Sequence, residues 1–323
     1  MDSAVTKRGR PSKPFIARQQ AHWGEIIQGP VRFEERVVTA LITMPRLDRQ
    51  TVAEFTPAEG TELSVTPSYA VKALKGVRMY LDSLGLFSMG GHLRLISNIR
   101  VGCGSGSSTC DIVAAMKAVA VAFRVVPHPM ELQTLCWQIE RASDPLALGA
   151  SAPVLYASRC GKLIKRYARN LPDLVCLGFD TASTKMVSTE ELAARESYSE
   201  RDIEQFSEVL ILAERGIQDG SAGLLADAAT ESARLNQERL PIDSFRQILE
   251  ASYEVGALGI SSSHSGTVAA ALFSPDVQFL ADRLEELQRH LSGFGCSDVG
   301  MFTVGTKAAQ LMPKQASMTR TAM

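Results

Sequence analysis

The chain has 323 residues, 45% of them apolar, and its 34 Lys and Arg against 35 Asp and Glu leave a net charge of −1. Such a length exceeds the usual single domain, so two domains sharing a cleft are expected, while the near-zero charge excludes a global field that gathers nucleic acid or anionic membrane. No apolar run approaches the ~18 residues of a membrane span and no signal peptide is visible, so a cytoplasmic protein is expected.

Residues 1–14 are polar, basic and proline-bearing, and a disordered tail is expected there. Within it, Lys7-Arg-Gly-Arg-Pro11 resembles the R-G-R-P core of an AT-hook, although a solvated tail explains the composition as well. Strands are predicted at Phe15–Gln20, Val31–Ile42, Gln50–Phe55 and Leu63–Thr66, divided early on by Gly29-Pro30 and Pro45. Val71, Leu74, Val77, Met79 and Leu81 supply much of an apolar helical face over Tyr69–Leu84. His92–Ile99 alternates in strand fashion, a glycine-rich loop follows, and helices are predicted at Thr109–Phe123 and Met130–Arg141. The second is ended by Asp144-Pro145, because the residue before proline avoids the α region.

The second half begins near Leu171 with a buried strand at Asp173–Asp180. Helices at about Ser199–Gln218, Gly220–Asn236 and Ile242–Tyr253 precede a loop at Ile260–Ser265 and a strand at Val268–Phe273. A helix at Val277–Leu291, a strand at Val299–Val304 and a loose tail at 313–323 complete the chain. Strands followed by paired helices in each half suit an α+β sandwich, with domains at 15–170 and 171–312. The six cysteines show neither C-x-x-C pairs nor metal-ligand spacing, as suits reduced, mostly buried thiols. Cys103, inside the glycine loop, reads as a small filler or as a reactive thiol.

Arg100 to Asp111 reads R-V-G-C-G-S-G-S-S-T-C-D and leads straight into the helix. The first N–H groups of a helix have no partners and the helix dipole adds partial positive charge there, so a phosphate can settle on them. Gly102, Gly104 and Gly106 allow close backbone approach and positive φ, and Ser105, Ser107, Ser108 and Thr109 add hydroxyls that can cap the helix or reach a metal. No Lys follows at the Walker A position and G-x-G-x-x-G is absent, so a plain turn and N-cap is the competing reading.

Gly104-Ser-Gly-Ser-Ser-Thr109 resembles the G-L-G-S-S-A core of the GHMP kinases, with Ser105 in place of Leu and Arg100 in place of Pro. Ala21-His-Trp-Gly-Glu-Ile-Ile-Gln-Gly29 looks like the G-E-[LI]-[IL]-Q-G segment of the L-threonine kinase branch of that superfamily, which serves cobalamin synthesis. Gly259-Ile-Ser-Ser-Ser-His-Ser-Gly-Thr-Val268 is similar to the branch's A-H-S-G-T-V, and Leu235-Asn-Gln-Glu-Arg-Leu-Pro241 also looks like it. The matches run in consistent order from about residue 17 to about residue 273.

The resemblance implies a two-domain GHMP fold, ribosomal-protein-S5-like then ferredoxin-like, with an active site between the domains that binds ATP and Mg²⁺. It implies that Glu140, with Ser108, holds the metal, and that Asp144 faces the acceptor hydroxyl. Glu140-Arg-Ala-Ser-Asp144 stands where the branch carries E-P-T-D, and its two carboxylates, four apart, would share a helix face if the last turn holds. Local sequence alone also allows a solvated helix end.

Glu25 can accept an ammonium group or be a strand-surface charge, and Gln28 can bind a carboxylate or hydroxyl. Ser265, Gly266 and Thr267 can aim N–H groups at substrate or form a plain turn, and His264 reads as a donor or a structural residue. Asp111 suits the helix dipole and matches the family's S-T-A-D. His22-Trp23, where the branch has smaller residues, can reshape the acceptor pocket. The resulting expectation is an ATP-dependent kinase making L-threonine O-3-phosphate. Another hydroxylated amino or hydroxy acid is the alternative acceptor, and a non-catalytic GHMP-fold regulator is the alternative class. The expected partner is a small hydroxylated amino acid, without membrane or, beyond the tail motif, nucleic acid; a homodimer is left open.

Overall fold

The computed structural model describes residues 13–149, 152–181, 197–264 and 266–306; the two expected tails, apart from Lys13 and Pro14, and the site candidate Ser265 lie outside the described residues. The fold is mixed α+β. Strands β1 (Phe15–Phe33), β2 (Arg36–Glu59), β3 (Leu63–Thr66) and β4 (Met89–Ser97) come from the first half, with a small hairpin of β5 (Val154–Ala157) and β6 (Lys162–Arg166). The second half supplies β7 (Leu174–Asp180), β8 (Gly259–Ser262), β9 (Val268–Phe273) and β10 (Ser297–Val304). All ten strands join in one sheet whose main path runs β10-β7-β9-β8-β1-β2-β4-β3, with β5 attached to β2.

The pieces predicted around Gly29-Pro30 and Pro45 regroup into two long antiparallel strands: Phe15–Gln20 extends into β1, while the predicted Val31–Ile42 strand is cut by the tight turn at Glu34-Glu35, both at positive φ, so that its first residues end β1 and the rest joins Gln50–Phe55 in β2. Proline is tolerated where its missing donor has no ladder to break. β1 pairs with β8 only at Glu25, so Pro30 lies past the point where β1 has a neighbour on that edge, and Pro45 lies opposite His22 where the register shifts. Those shifts, flanking Glu25, are bulges. A bulge cancels the alternation of faces, and Ala21 through Ile27 are accordingly buried without interruption.

Helices α1 (Val71–Ser83), α2 (Ser107–Ala122) and α3 (Pro129–Glu140) pack with the first half. α2 is apolar around nearly its whole circumference from Ile112 to Ala120, because it threads between the sheet and its sister helices. In the second half, β7 sorts its residues by period two. Leu174 and Cys176 face Trp23, Met44 and the pair α4 (Glu200–Asp219) and α5 (Ala222–Asn236), whereas Val175, Leu177 and Phe179 face α6 (Phe245–Glu254) and α7 (Leu280–Gly293).

Two expectations change. The Ile260–Ser265 segment is not simply a loop: Gly259–Ser262 forms β8, a serine-rich strand hydrogen-bonded to β9 and touching β1 at Glu25, where neighbouring backbone rather than apolar side chains fixes the conformation. Met130–Arg141 ends one residue sooner, because Arg141 turns left-handed at φ 63°. Asp144 therefore does not share a helical face with Glu140. Among the described residues, no helix is long and apolar enough to cross a membrane.

Candidate active site

A cavity of about 450 Å³ opens where the start of α2, the end of α3, the β1 bulge and the C-terminal end of α5 converge. Gly102, Gly104 and Gly106 have φ of 81°, 84° and 68°, a region costly for side-chain-bearing residues. Gly106 is the N-cap of α2 and no side chain caps the helix. Of the two roles open to the hydroxyls of Ser107, Ser108 and Thr109, capping is not the one seen: these residues form the first turn of α2, and their N–H groups start the helix without a side-chain acceptor. Gly102, Gly104, Ser105, Gly106, Ser107, Ser108 and Thr109 all line the cavity.

The loop is glycine-rich for steric reasons as well. A Cβ on Gly104 would meet Ser263 Oγ at 2.3 Å, and one on Gly106 would meet the His22 ring at 2.5 Å. A Cβ on Gly266 would lie 2.3 Å from the carbonyl oxygen of Cys103. That carbonyl accepts from the N–H groups of Thr267 and Val268 at 3.1 and 3.2 Å. Gly266 and Thr267 line the cavity, but the Thr267 N–H, expected to aim at substrate, is committed to bracing the glycine loop from behind. Cys103 is buried, its thiol donating to the Arg100 carbonyl and lying 2.9 Å from Ser105 Oγ, as a packing residue would.

Two acids reach the cavity by separate routes. Glu140, the last residue of α3, accepts the Thr109 hydroxyl at 2.6 Å and lies 3.5 Å from Lys72 Nζ. The solvated-helix-end reading does not describe it, since its side chain is 7% exposed. Asp144 sits in the following turn, and its backbone carbonyl accepts from Gln133 Nε2 at 2.9 Å. The same Gln133 nitrogen is within 3.1 Å of Ser143 Oγ and of Tyr156 Oη. Asp144 Oδ2 lies 3.0 Å from His22 Nε2, and Oδ1 has no partner among the described residues. Carboxylate and hydroxyl oxygens at the foot of an anion site are the hard donors Mg²⁺ takes, so Glu140 and Ser108 fit the expected ion chemically.

The bulge in β1 sets His22 beneath this surface and Glu25 in the cavity wall. Gly24, at φ 67°, lies so close to β8 that a Cβ there would be 3.0 Å from Ser263 N. Glu25 is not a surface charge: it is 1% exposed, and Oε2 accepts the His264 N–H at 2.9 Å. Burial raises its carboxyl to about 7, aided by the charge of Asp144 and opposed by His22 and by hydrogen bonds from His264 and Ser263. Burial alone would discharge His22, but Asp144, through charge and hydrogen bond, then Glu25 and the Gly24 carbonyl, outweigh it and raise the imidazole to about 9. His22 and Trp23 do not shape the acceptor pocket directly. His22 lies below its floor, and Trp23 is buried in the core, its indole N–H donating to the Ala269 carbonyl and its face covered by Arg46 at 4.0 Å.

Gln28 lines the cavity while its backbone N–H donates to Ser232 Oγ. His264 lines the cavity but is largely buried, with Nε2 3.3 Å from the same hydroxyl, and burial, with the charge of Arg239, lowers it to about 3, so its imidazole is neutral at physiological pH. Asp111 lies beyond the first turn of α2 and accepts from Thr51 Oγ1 at 2.7 Å. Sequence reasoning missed His22 as the partner of Asp144, Lys72 and Gln133. The usable signals were a histidine beside the bulge glycine and a polar residue on the buried face of α3.

Residues 68–156 match the family described as GHMP kinases N terminal domain, and residues 213–290 match GHMP kinases C terminal. No significant match to a curated protein is found. Among solved structures, the chain is similar to homoserine kinase from Cytophaga hutchinsonii, at 14% identity over 90% of this chain and 95% of that one, with a TM-score of 0.64. It is similar to L. major mevalonate kinase at 16% identity, 93% and 99% coverage and a TM-score of 0.62. Streptococcus pneumoniae phosphomevalonate kinase, in complex with phosphomevalonate and AMPPNP, gives 15%, 90% and 99% coverage, and 0.63.

Proposed function

We propose that this chain, which belongs to the GHMP kinase superfamily, uses ATP to phosphorylate the side-chain hydroxyl of L-threonine. The observation that carries the reading is the uncapped start of α2, with three positive-φ glycines before it, sharing one cavity with Glu140 and Asp144. An anion-binding backbone beside two acids of different surroundings is what phosphoryl transfer asks of a protein, since positioning and charge supply most of the rate.

In this reading the N–H groups of Ser105 to Thr109 hold the β- and γ-phosphates. Glu140 and Ser108 would hold Mg²⁺, which when bound neutralises phosphate charge. Lys72 and Thr109 keep Glu140 turned toward the loop. Asp144 offers Oδ1 to the acceptor hydroxyl, orients its oxygen at the γ-phosphorus and receives its proton late in the transfer. His22 fixes that geometry. Its Nδ1 faces the Gly24 carbonyl, which can only accept, so with both nitrogens donating it is an imidazolium that holds Oδ2 and leaves Oδ1 to work.

Threonine as the acceptor rests on the branch-like segments at 21–29, 235–241 and 259–268. Homoserine is the second reading, favoured by the similarity to a homoserine kinase. An ADP-release screen over L-threonine, L-serine, L-homoserine and several sugars, with products identified by mass spectrometry, tests both. Threonine should give the highest kcat/KM; a sugar at the top of the ranking would overturn the amino-acid reading.

A further inference from the structure

The glycine loop carries no lysine of its own, and its one cation, Arg100, is paired with Asp180 Oδ2 at 2.5 Å and does not line the cavity. A lysine arrives from another element instead. Lys72, the second residue of α1, lines the cavity with its side chain 56% exposed, and its Nζ lies 3.5 Å from Glu140 Oε1. Glu140 Oε2 in turn accepts the hydroxyl of Thr109, in the first turn of α2. One carboxylate thus separates the ammonium from the helix start that opens onto the cavity. The close packing of α1 on α2 sets this distance: a Cβ on Gly76, one turn beyond Lys72, would lie 3.0 Å from Ile112 Cγ2.

The stability of α1 does not explain a lysine at this position. A cation in the first turn meets the positive end of the helix dipole, and α1 has neither an acid in that turn nor a side-chain cap to offset it. The start of α2, also without a side-chain cap, adds a second positive pole nearby. Pairing with Glu140 recovers little, because water screens an ammonium this exposed. A charge set against the local rule is the mark of a working site, and two helix starts with an ammonium beside them suit an anion of high charge. The other described cations on the cavity wall are placed elsewhere, Arg239 beyond the end of α5 with Nη2 3.3 Å from Asp202 Oδ2, and Arg159 in the turn between β5 and β6.

We propose that Lys72 binds an oxygen of the terminal phosphates of the nucleotide, leaving Glu140 when a divalent ion neutralises that acid. The inference rests on the reading of the glycine loop as the site of ATP and Mg²⁺. In the structure Lys72 and Glu140 neutralise each other. Once the acid has another positive partner, the ammonium, a point charge with three donors on a flexible stem, can turn to phosphate without giving up a two-pronged geometry. Thr109 keeps the carboxylate in place through Oε2.

Calorimetric titration with AMPPNP, in Mg²⁺ and in EDTA, compares wild type, Lys72→Met, Lys72→Arg, Glu140→Gln and the double variant of Lys72→Met with Glu140→Gln. In Mg²⁺, Lys72→Met should bind AMPPNP about 10–100-fold more weakly, as expected for one lost charged hydrogen bond. Lys72→Arg should recover most of the affinity, which loss of a purely structural contact would not predict. Should Lys72→Met fail to fold, Lys72→Gln makes the same comparisons with a polar side chain.

The double variant separates direct contact from action through the acid. If Lys72 touches phosphate, its removal from Glu140→Gln in EDTA should again weaken AMPPNP by about tenfold or more. No loss in that background would make Lys72 a support for Glu140 alone and overturn the proposal. Wild type that binds no AMPPNP with Mg²⁺ sinks the nucleotide reading of the loop together with this role of Lys72. Wild type that binds AMPPNP as tightly as Lys72→Met sinks the role of Lys72 and leaves the loop as the nucleotide site.

Discussion

His22 and Asp144, 122 residues apart in the chain, meet with Nε2 3.0 Å from Oδ2, and the same His22 ring fills the space that a side chain at Gly106 would need. One buried imidazole thus supports both the glycine loop and the carboxylate proposed to face the acceptor. Its position follows from the β1 bulge at Gly24, without which residues 22 and 25 would follow the ordinary alternation of a strand.

Asp144→Asn keeps the shape and removes the charge. Turnover should fall by about 10²–10⁴-fold, the range associated with a lost general acid or base, while KM for ATP changes little. Steady-state kinetics with saturating acceptor measures both. Turnover within a few fold of wild type would remove Asp144 from the chemistry.

His22 makes stability depend on pH with a defined sign. Its folded value, about 9, lies above the ordinary 6.5, so its stabilisation is fully present below pH 6.5 and is lost as pH rises through about 9. The difference in melting temperature between wild type and His22→Gln should therefore shrink between pH 6.5 and 9.5. Thermal unfolding across that range checks it, and a constant difference contradicts the buried imidazolium.

Gly106→Ala should destabilise the protein by about 1–3 kcal/mol, because φ there is 68° and the new methyl meets His22. Part of that cost is contact and part is backbone strain. A double-mutant cycle with His22→Ala separates them: the alanine at 106 should cost less in that background. Denaturant unfolding of the four proteins gives the coupling, and strict additivity would show that the ring is not the obstacle.

Glu140→Gln should raise the Mg²⁺ concentration for half-maximal activity by about tenfold, with near-wild-type turnover recovered at high Mg²⁺. The variant retains an acceptor for the Thr109 hydroxyl, so loop geometry should persist. A Mg²⁺ titration at fixed ATP is the measurement. An unchanged requirement would place the ion elsewhere.

The sequence carried the loop, because glycines that approach a neighbouring backbone leave a local signature, and Gly102, Gly104 and Gly106 all take positive φ. Helices with clear apolar faces were also legible to within a few residues. The joined strands β1 and β2 were not, because Pro30 and Pro45 read locally as breaks and become tolerable only through edge placement and bulges. A shared face for Glu140 and Asp144 depends on the last turn of α3 holding, and it does not hold because Arg141 adopts a left-handed conformation that periodicity does not foresee. Glu25 and His264 look chemically free in sequence, and only the contact between β1 and β8 shows the carboxylate bonded to the backbone of the other segment.

The most direct test of the central claim is phosphorus NMR of wild-type enzyme with ATP, Mg²⁺ and L-threonine. O-phospho-L-threonine should appear in step with ADP and be nearly absent with Asp144→Asn. ADP accompanied only by inorganic phosphate, or equal phosphothreonine from both proteins, would contradict transfer from the α2 loop to an acceptor hydroxyl at Asp144.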